Sequence, residues 1–309
     1  MHNARSCTIA LLVASLPLLA ACESKPAASG DSAGVSPAAA PAAAAIDYTG
    51  DFKGPLGVQL WSFREAAEKD PVAMLAMTRG LGLTHVETAG TYGKSADTLA
   101  TWLRNANLKA TSMHVPYEML RDSMPKVIAD AKTLGVTYVG TAWYPHDGPF
   151  TEATARKAIA DFNNFGKATK DAGLRFFYHN HGYEPERYKD GTLLDLIIGE
   201  TDPSLVYFEE DVLWTYLPGV DPAALIRKYP GRFKLMHIKD MKPGVARGSL
   251  SGGLPAEQQA VIGEGQVNWG ELLKTATADG VEQFYLEDET PAPLTNVPLS
   301  IKYLAQLKY

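Results

Sequence analysis

Cysteine is almost missing from this 309-residue chain: Cys7 and Cys22 are the only two, and both precede the part that could fold. Residues 50–309 therefore have no disulfide and no thiolate metal site available, and their stability must come from a packed core. An excess of basic residues is lacking as well. Lys and Arg number 29 against 35 Asp and Glu, a net charge of −6 that becomes −7 once Arg5 leaves with a leader. Such a surface repels nucleic-acid phosphates, and no nucleic-acid partner is expected. The apolar run TIALLVASLPLLAA (8–21) is too short to span a bilayer, which takes about 20 apolar residues. A nucleotide-type phosphate loop is also absent, because neither Arg247-Gly248-Ser249 nor Gly252-Gly253 is followed by the Lys-Ser/Thr pair it needs.

What the N-terminus does contain is a short leader. Arg5 is the only charge before the apolar run, which has the length of a signal-peptide core. The run ends in Leu19-Ala20-Ala21-Cys22, which resembles the lipobox of bacterial lipoproteins, where the cysteine is lipidated and becomes the first mature residue. That resemblance implies a leader over 1–21, lipidation at Cys22, and an exported protein facing the periplasm that meets the membrane through its lipid anchor alone. The alternative is an ordinary signal peptide with a coincidental cysteine. Residues 22–46 are rich in Ala, Pro, Ser and Gly and read as a tether.

From residue 50 onward, short β-branched or aromatic runs alternate with helical patterns. The strand candidates are GVQLWSF (57–63), THVETAG (84–90), KATSMHVP (109–116), TYVGTAW (137–143), LRFFYH (174–179), LVYFEED (205–211), RFKLMHI (232–238) and EQFYLE (282–287). The helices read as 70–81, 95–106, 122–134, 152–172, 191–199, 221–229, 268–279 and 296–307, with Gly135, Gly173 and Gly280 at ends that suit a left-handed cap. Eight βα repeats without a long antiparallel run predict a single (β/α)8 TIM barrel over 50–309 rather than an open doubly wound sheet.

Four of these strands change abruptly at their C-terminal ends from apolar residues to metal-binding types: His179 with His181 just beyond it, Asp211, His237 and Glu287. An ionised group taken out of water without a partner is costly, so something must compensate. Strand alternation puts Phe177, His179 and His181 on one face, and likewise Tyr207, Glu209 and Asp211, then Leu235, His237 and Lys239, then Tyr285 and Glu287. The C-terminal mouth of a barrel is where active sites of this fold sit. Each residue alone has a plainer reading: Asp211 can cap the turn after its strand, Glu287-Asp288-Glu289 can be a solvated acidic loop, and a strand-end His can be structural. Together they predict one divalent metal. The mixed nitrogen and oxygen set suits Mn2+, placed first, or Co2+, Fe2+ or Zn2+, rather than Ca2+.

Which of His179 and His181 is the ligand stays open, with the strand-end position preferring His179. His181 is then the acid/base candidate, because imidazole titrates near neutral pH. Lys239 could stabilise an enolate oxygen, or be an ordinary solvated lysine. Glu87 and His114 end the second and third strands and are expected to face a substrate across the mouth, while Trp61, Trp143 and Trp214 could stack on its apolar face or serve as core. The long segment 241–265 reads as a lid or an insertion.

The runs GVQLWSF, Glu87 with Ala89-Gly90, Ser112-Met113-His114-Val115-Pro116, His179-Asn180-His181, Asp211-Val212 with Trp214, Gly219-Val220-Asp221-Pro222, His237-Ile238-Lys239-Asp240, Gly263-Glu264-Gly265 before Trp269, and Glu287 resemble the sugar phosphate isomerase/epimerase group of xylose isomerase-like TIM barrels, over essentially all of 55–309. In that family the metal is held by Glu, Asp, His and Glu from the last four strand ends. The resemblance implies His179, Asp211, His237 and Glu287 here, with His179 departing from the usual Glu. It also implies an isomerase or epimerase that abstracts a proton next to a carbonyl through an enediolate, with Glu287 as a catalytic carboxylate, to which the residue chemistry adds His181 and Lys239 as catalytic candidates. The departure leaves Glu287 as the only carboxylate of the epimerase pair and turns attention to one-base chemistry. Reprotonating a neighbouring carbon then makes an isomerase. Expelling a β-substituent makes a lyase or dehydratase, as in family members acting on 3-keto-glycosides. Export, and the lack of an evident Arg/Lys cluster at the mouth, point to a small-molecule carbohydrate without phosphate. A noncatalytic carbohydrate-binding surface lipoprotein is the alternative from a different class.

Overall fold

Eight parallel strands close on themselves in chain order: β1 (Leu56–Gln59), β2 (His85–Thr88), β3 (Lys109–His114), β4 (Tyr138–Thr141), β5 (Arg175–His179), β6 (Val206–Asp211), β7 (Phe233–Ile238) and β8 (Gln283–Leu286), with β8 pairing back to β1. The computed structural model describes residues 45–309; the expected leader, Cys22 and the tether to residue 44 lie outside the described residues. The (β/α)8 barrel is therefore the architecture of the chain. Among the described residues no helix is long and apolar enough to cross a membrane.

The principal outer helices are α1 (Pro71–Gly80), α2 (Ala96–Asn105), α3 (Met124–Leu134), α4 (Glu152–Asp171), α5 (Leu193–Glu200), α6 (Pro222–Lys228), α7 (Trp269–Asp279) and α8 (Pro293–Gln306). Side chains start most of them. Asp70, Ser95, Thr151 and Asp221 accept backbone N–H bonds at the first turns, and Thr192 forms a reciprocal capping box with Asp195. Gly135 and Gly280 close α3 and α7 at φ 71° and 87°, the left-handed conformation that glycine adopts without steric cost.

Strand alternation sorts the sheet into two cores. One face of each strand packs outward against the helices, in a cluster that includes Phe176, Tyr178, Phe208 and Met236. The other face fills the lumen with Tyr138, Phe177, Leu235 and Tyr285, against which Tyr207 packs. Gly57 and Gly140 make room for these rings, since a Cβ would come within 2.9 Å of the Tyr285 ring at Gly57 and within 2.7 Å of the Phe177 ring at Gly140. The N-terminal end of the lumen is closed by Arg175, whose Nη1 donates to Tyr138 Oη at 2.7 Å and to Glu282 Oε1 at 3.1 Å. The His, Asp and Glu groups close enough to hold a metal lie toward the opposite end.

Element boundaries differ from the sequence reading mainly at the mouth. The first strand stops at Gln59, and Leu60–Phe63 is a 3-10 turn rather than strand. The Gln59 side chain causes this by accepting the Trp61 N–H at 3.1 Å, which turns the chain outward and leaves Trp61 46% exposed. Short helices not expected from periodicity occupy Arg64–Lys69, Tyr117–Asp122 and Val212–Tyr216.

Candidate metal centre

The side chains at the ends of β5 to β8 converge. His179 Nε2 lies 3.6 Å from Asp211 Oδ2, His237 Nδ1 lies 3.8 Å from the same oxygen, and His237 Nδ1 lies 3.2 Å from Glu287 Oε2. Bonds of about 2.0–2.2 Å to one ion put donor atoms about 3.0–3.5 Å apart, which these spacings approach. Asp211 Oδ2 is buried and has no hydrogen-bond partner. Its other oxygen, Oδ1, accepts the Trp214 N–H at 2.9 Å and caps the helix Val212–Tyr216. The capping role and the open, site-facing oxygen belong to the same carboxyl. An orphaned buried carboxylate oxygen beside two imidazole nitrogens is a donor set that a divalent cation fits.

Below this group lies a layer that fixes the imidazoles. Glu209 Oε2 lies 3.0 Å from His179 Nδ1, and Glu87 Oε1 lies 2.6 Å from His237 Nε2. Each ring is therefore held by a carboxylate at one nitrogen and presents the other to the centre, the arrangement that sets tautomer and orientation in metal sites. His114 Nε2 bridges the two carboxylates at 3.1 Å and 2.8 Å, and Gln59 Nε2 and Ser112 Oγ donate to Glu87 at 2.7 Å and 2.5 Å. The register of the sheet shifts between Val86 and Glu87 and between Phe208 and Glu209. Bulges of this kind re-aim side chains near active sites. His114, His179, Glu209 and His237 also lie close enough to hold an ion as a second group, in which Glu209 Oε1 is buried and unpartnered as well. The upper group of Asp211, His237 and Glu287 is the one that lies nearer the strand ends.

The charges follow from these contacts. Burial works to raise the Glu87 pKa, but His114 and His237 outweigh it and hold the carboxyl well below its usual range. Burial alone would depress His114, yet Glu87 and Glu209 raise it to about 10. For Asp211 burial wins over Lys239 and His237 and pushes the carboxyl up to about 7. Burial, followed by the repulsion of His237, holds His179 neutral. Lys239 Nζ lies 3.0 Å from Glu287 Oε2 and 2.5 Å from Glu289 Oε2 and rests 4.9 Å from the Trp214 ring centre. Burial would lower Lys239, but those two carboxylates keep it a cation, and it is not a solvated surface lysine. In turn Lys239 and His237 overcome burial and keep Glu287 ionised.

A cavity of about 710 Å³ opens above the centre, lined among others by His114, Trp143, His179, His181, Trp214, Lys239 and Glu287. His181 is in its wall, stacked on Trp214 at 5.9 Å and 20°, with its Nδ1 buried and unpartnered. Burial, then the nearby Lys239, drive its imidazole down to about 3. Trp143 is 47% exposed at the opening, whereas Trp214 is 4% exposed and forms the floor beside Lys239. Glu87 departs from its expected place. It has no exposed surface and supports His237 and His114 from beneath, so a substrate in the cavity cannot reach it. His114 touches both the lower layer and the cavity.

Sequence reasoning passed over Gln59, Glu209, Gln259 and Glu289. Glu209 had a signal, since it shares a strand face with Asp211 two residues on. Glu289 had the opposite signal, an acidic run that reads as solvated; it accepts from Trp61 Nε1 at 3.0 Å and from Gln259 Nε2 at 3.3 Å. Arg64 also lines the mouth. The segment 241–265 crosses the opening as a strap, with Asp240–Met241 paired antiparallel to Gln259–Ala260 and Gly252, Gly253 and Leu254 lining the cavity. Asp240 anchors its base by accepting the Trp269 Nε1–H at 2.9 Å and the Gln266 N–H at 3.0 Å.

A family model described as xylose isomerase-like TIM barrel matches residues 75–307. An inosose dehydratase of Clostridium tetani is 31% identical over 99 residues, covering 32% of this chain and 32% of that protein. The chain spans half or less of the length of the curated relatives it matches. A solved sugar phosphate isomerase/epimerase from Parabacteroides distasonis is 26% identical, covers 85% of this chain and 98% of that one, and superposes with a TM-score of 0.65. The IOLI protein, solved with a zinc atom, is 14% identical over 81% of this chain and 94% of its own, with a TM-score of 0.60, a likeness of fold.

Proposed function

The chain belongs to the xylose isomerase-like TIM barrel family, and from that premise we propose that it is a divalent-metal-dependent carbohydrate enzyme of the isomerase/epimerase type, which removes a proton from the carbon next to a carbonyl. The observation that carries this reading is the grouping of Asp211, His237 and Glu287, with His179 Nε2 3.6 Å from the buried, open Asp211 Oδ2, beneath a ligand-sized cavity that His179 and Glu287 line. When bound, the metal supplies polarisation of the substrate carbonyl and its neighbouring hydroxyl. Mn2+ is our first assignment, with Co2+, Fe2+ and Zn2+ compatible with two imidazoles and two carboxylates.

The side chains divide the remaining work. Glu87 and Glu209 hold the imidazoles in place. Lys239, kept cationic by Glu287 and Glu289, can donate to a substrate oxygen that gains negative charge. His181 offers Nδ1 as a proton acceptor. Negative charge developing on the substrate raises the proton affinity of His181 as the proton moves. Trp143 at the opening suits the apolar face of a sugar ring.

A second outcome of the same proton abstraction has its own support. His179 stands where the family usually has a carboxylate, leaving one base-type carboxylate, and a matched relative is an inosose dehydratase. Elimination of a β-substituent, making the chain a keto-glycoside lyase or dehydratase, needs a base on one face only. Cys22 after Leu19-Ala20-Ala21 supports an exported lipoprotein anchored by its lipid and facing the periplasm. Detergent-phase partitioning that is lost in Cys22→Ser tests that localisation.

Incubating the metal-loaded protein with keto-sugars in deuterated water tests the activity. Expected is metal-dependent deuterium uptake at the α-carbon, abolished in Asp211→Asn, with product analysis separating isomerisation from elimination. Sugar binding without exchange, at any metal content, would instead assign a noncatalytic carbohydrate-binding role.

A further inference from the structure

Beside the metal cavity lies a second one of about 480 Å³, walled by Leu60, Trp61, Arg64, Ala67, Ala89 and Tyr92 among others. Trp61, Arg64 and Ala89 line both, so a ligand seated over the metal donors that extends past Trp61 enters the second chamber. Both volumes fall within the roughly 300–1,000 Å³ of small-molecule sites. One sugar ring in the first leaves the second unfilled.

The chamber's chemistry differs from that of the metal cavity. Of its charged residues Glu68 and Lys94 are exposed and Arg64 is half-buried, while Leu60 and Ala67 are buried hydrocarbon. Trp61 is held in place by its Nε1–H bond to Glu289 Oε1 at 3.0 Å, and the Arg64 guanidinium lies 5.4 Å from its ring centre. Tyr92 has a left-handed backbone, φ 54°, between Gly90 at 105° and Gly93 at 70°. A bulky residue adopts that conformation only when its surroundings impose it, and such strain gathers at ligand sites. The Tyr92 hydroxyl is buried and has no hydrogen-bond partner. A second sugar would bring a ring of hydroxyls to walls that are mostly hydrocarbon and could pair few of them. A flat aromatic ring carrying one oxygen fits these walls better, with Tyr92 as the donor.

We infer that the substrate is a keto-glycoside with an aromatic aglycone, the oxidised sugar lying over the metal donors and the aglycone between Trp61 and Tyr92. This rests on the carbohydrate reading above and names its substrate class. The test is calorimetric binding to the metal-loaded full chain of methyl β-D-glucopyranoside, phenyl β-D-glucopyranoside, 4-hydroxyphenyl β-D-glucopyranoside and cellobiose. Burial of an aromatic ring should make the phenyl glycoside bind about tenfold more tightly than the methyl one. Tyr92→Ala should erase that advantage while leaving the methyl glycoside unchanged. Tyr92→Phe, which keeps the ring and spares the fold, should weaken only the 4-hydroxyphenyl glycoside.

Equal affinity for methyl and phenyl glycosides, an aryl advantage that survives Tyr92→Ala, or cellobiose binding more tightly than either aryl glycoside overturns the inference. The two readings fail separately. Deuterium exchange on a keto-sugar without aryl preference removes only the aglycone chamber, and aryl preference without exchange removes only the reaction.

Discussion

Asp211 uses its two oxygens for different ends, one capping a helix and the other left open toward two imidazoles. That division explains why the dull and the functional readings of the residue could not be separated from sequence: both are true of it. The supporting carboxylates beneath are where substitution should be most informative. Glu209→Gln and Glu87→Gln keep shape but remove the charge that fixes His179 and His237, and each should weaken metal affinity by roughly 10- to 100-fold, measured by competition with a chromogenic chelator. Glu184 makes a different prediction. Burial raises its pKa from 4.5 to about 8, against the bonds it accepts from Tyr178 Oη and, at 2.8 Å, from the His181 N–H. A carboxyl whose folded pKa is raised keeps its proton in the fold and loses it in the unfolded chain. Stability on this account falls as pH rises from about 4.5 to about 8 and stays lowered above that. Glu184→Gln should therefore leave acid stability nearly unchanged and raise stability at alkaline pH by roughly 2–4 kcal/mol, read from urea midpoints across that range.

At the scale of elements, the barrel strands were readable because their periodicity is regular; β5, β6 and β7 end where expected, at His179, Asp211 and Ile238, whereas β1 to β4 stop short of their expected ends. The mouth is where side chains override local propensity. Gln59 bends a run of strand-forming residues into a 3-10 turn through one hydrogen bond, a contact invisible to a window of propensities. Glu87 was assigned to the substrate because it was read near a strand end, but the strand stops at Thr88, two residues short of the expected end, and the register shifts between Val86 and Glu87, whose side chain is fully buried. The strap over 241–265 depends on Gly265, where a Cβ would stand 2.2 Å from Asp240 Cγ. Gly265→Ala should break the Asp240 anchor and cost about 1–3 kcal/mol. Limited proteolysis should then cut within 241–265 sooner than in the wild type, while the barrel elsewhere resists.

For the whole molecule, the repeat count and the lack of any second break favoured a barrel over an open doubly wound sheet, and the eight strands do close in chain order. What sequence could not supply was depth. Residues on one strand face, such as Glu209 and Asp211, fall into successive layers of the lumen, an aromatic plug, then carboxylates with imidazoles, then the open donors, and only the closed barrel assigns each to its layer. The layering is also the central claim, and anomalous diffraction from crystals of the full chain loaded with Mn2+ tests it most directly. The account predicts one peak per chain, bonded to His179 Nε2, Asp211 Oδ2, His237 Nδ1 and Glu287; no peak, or a peak among Glu87, His114 and Glu209 one layer below, would contradict it.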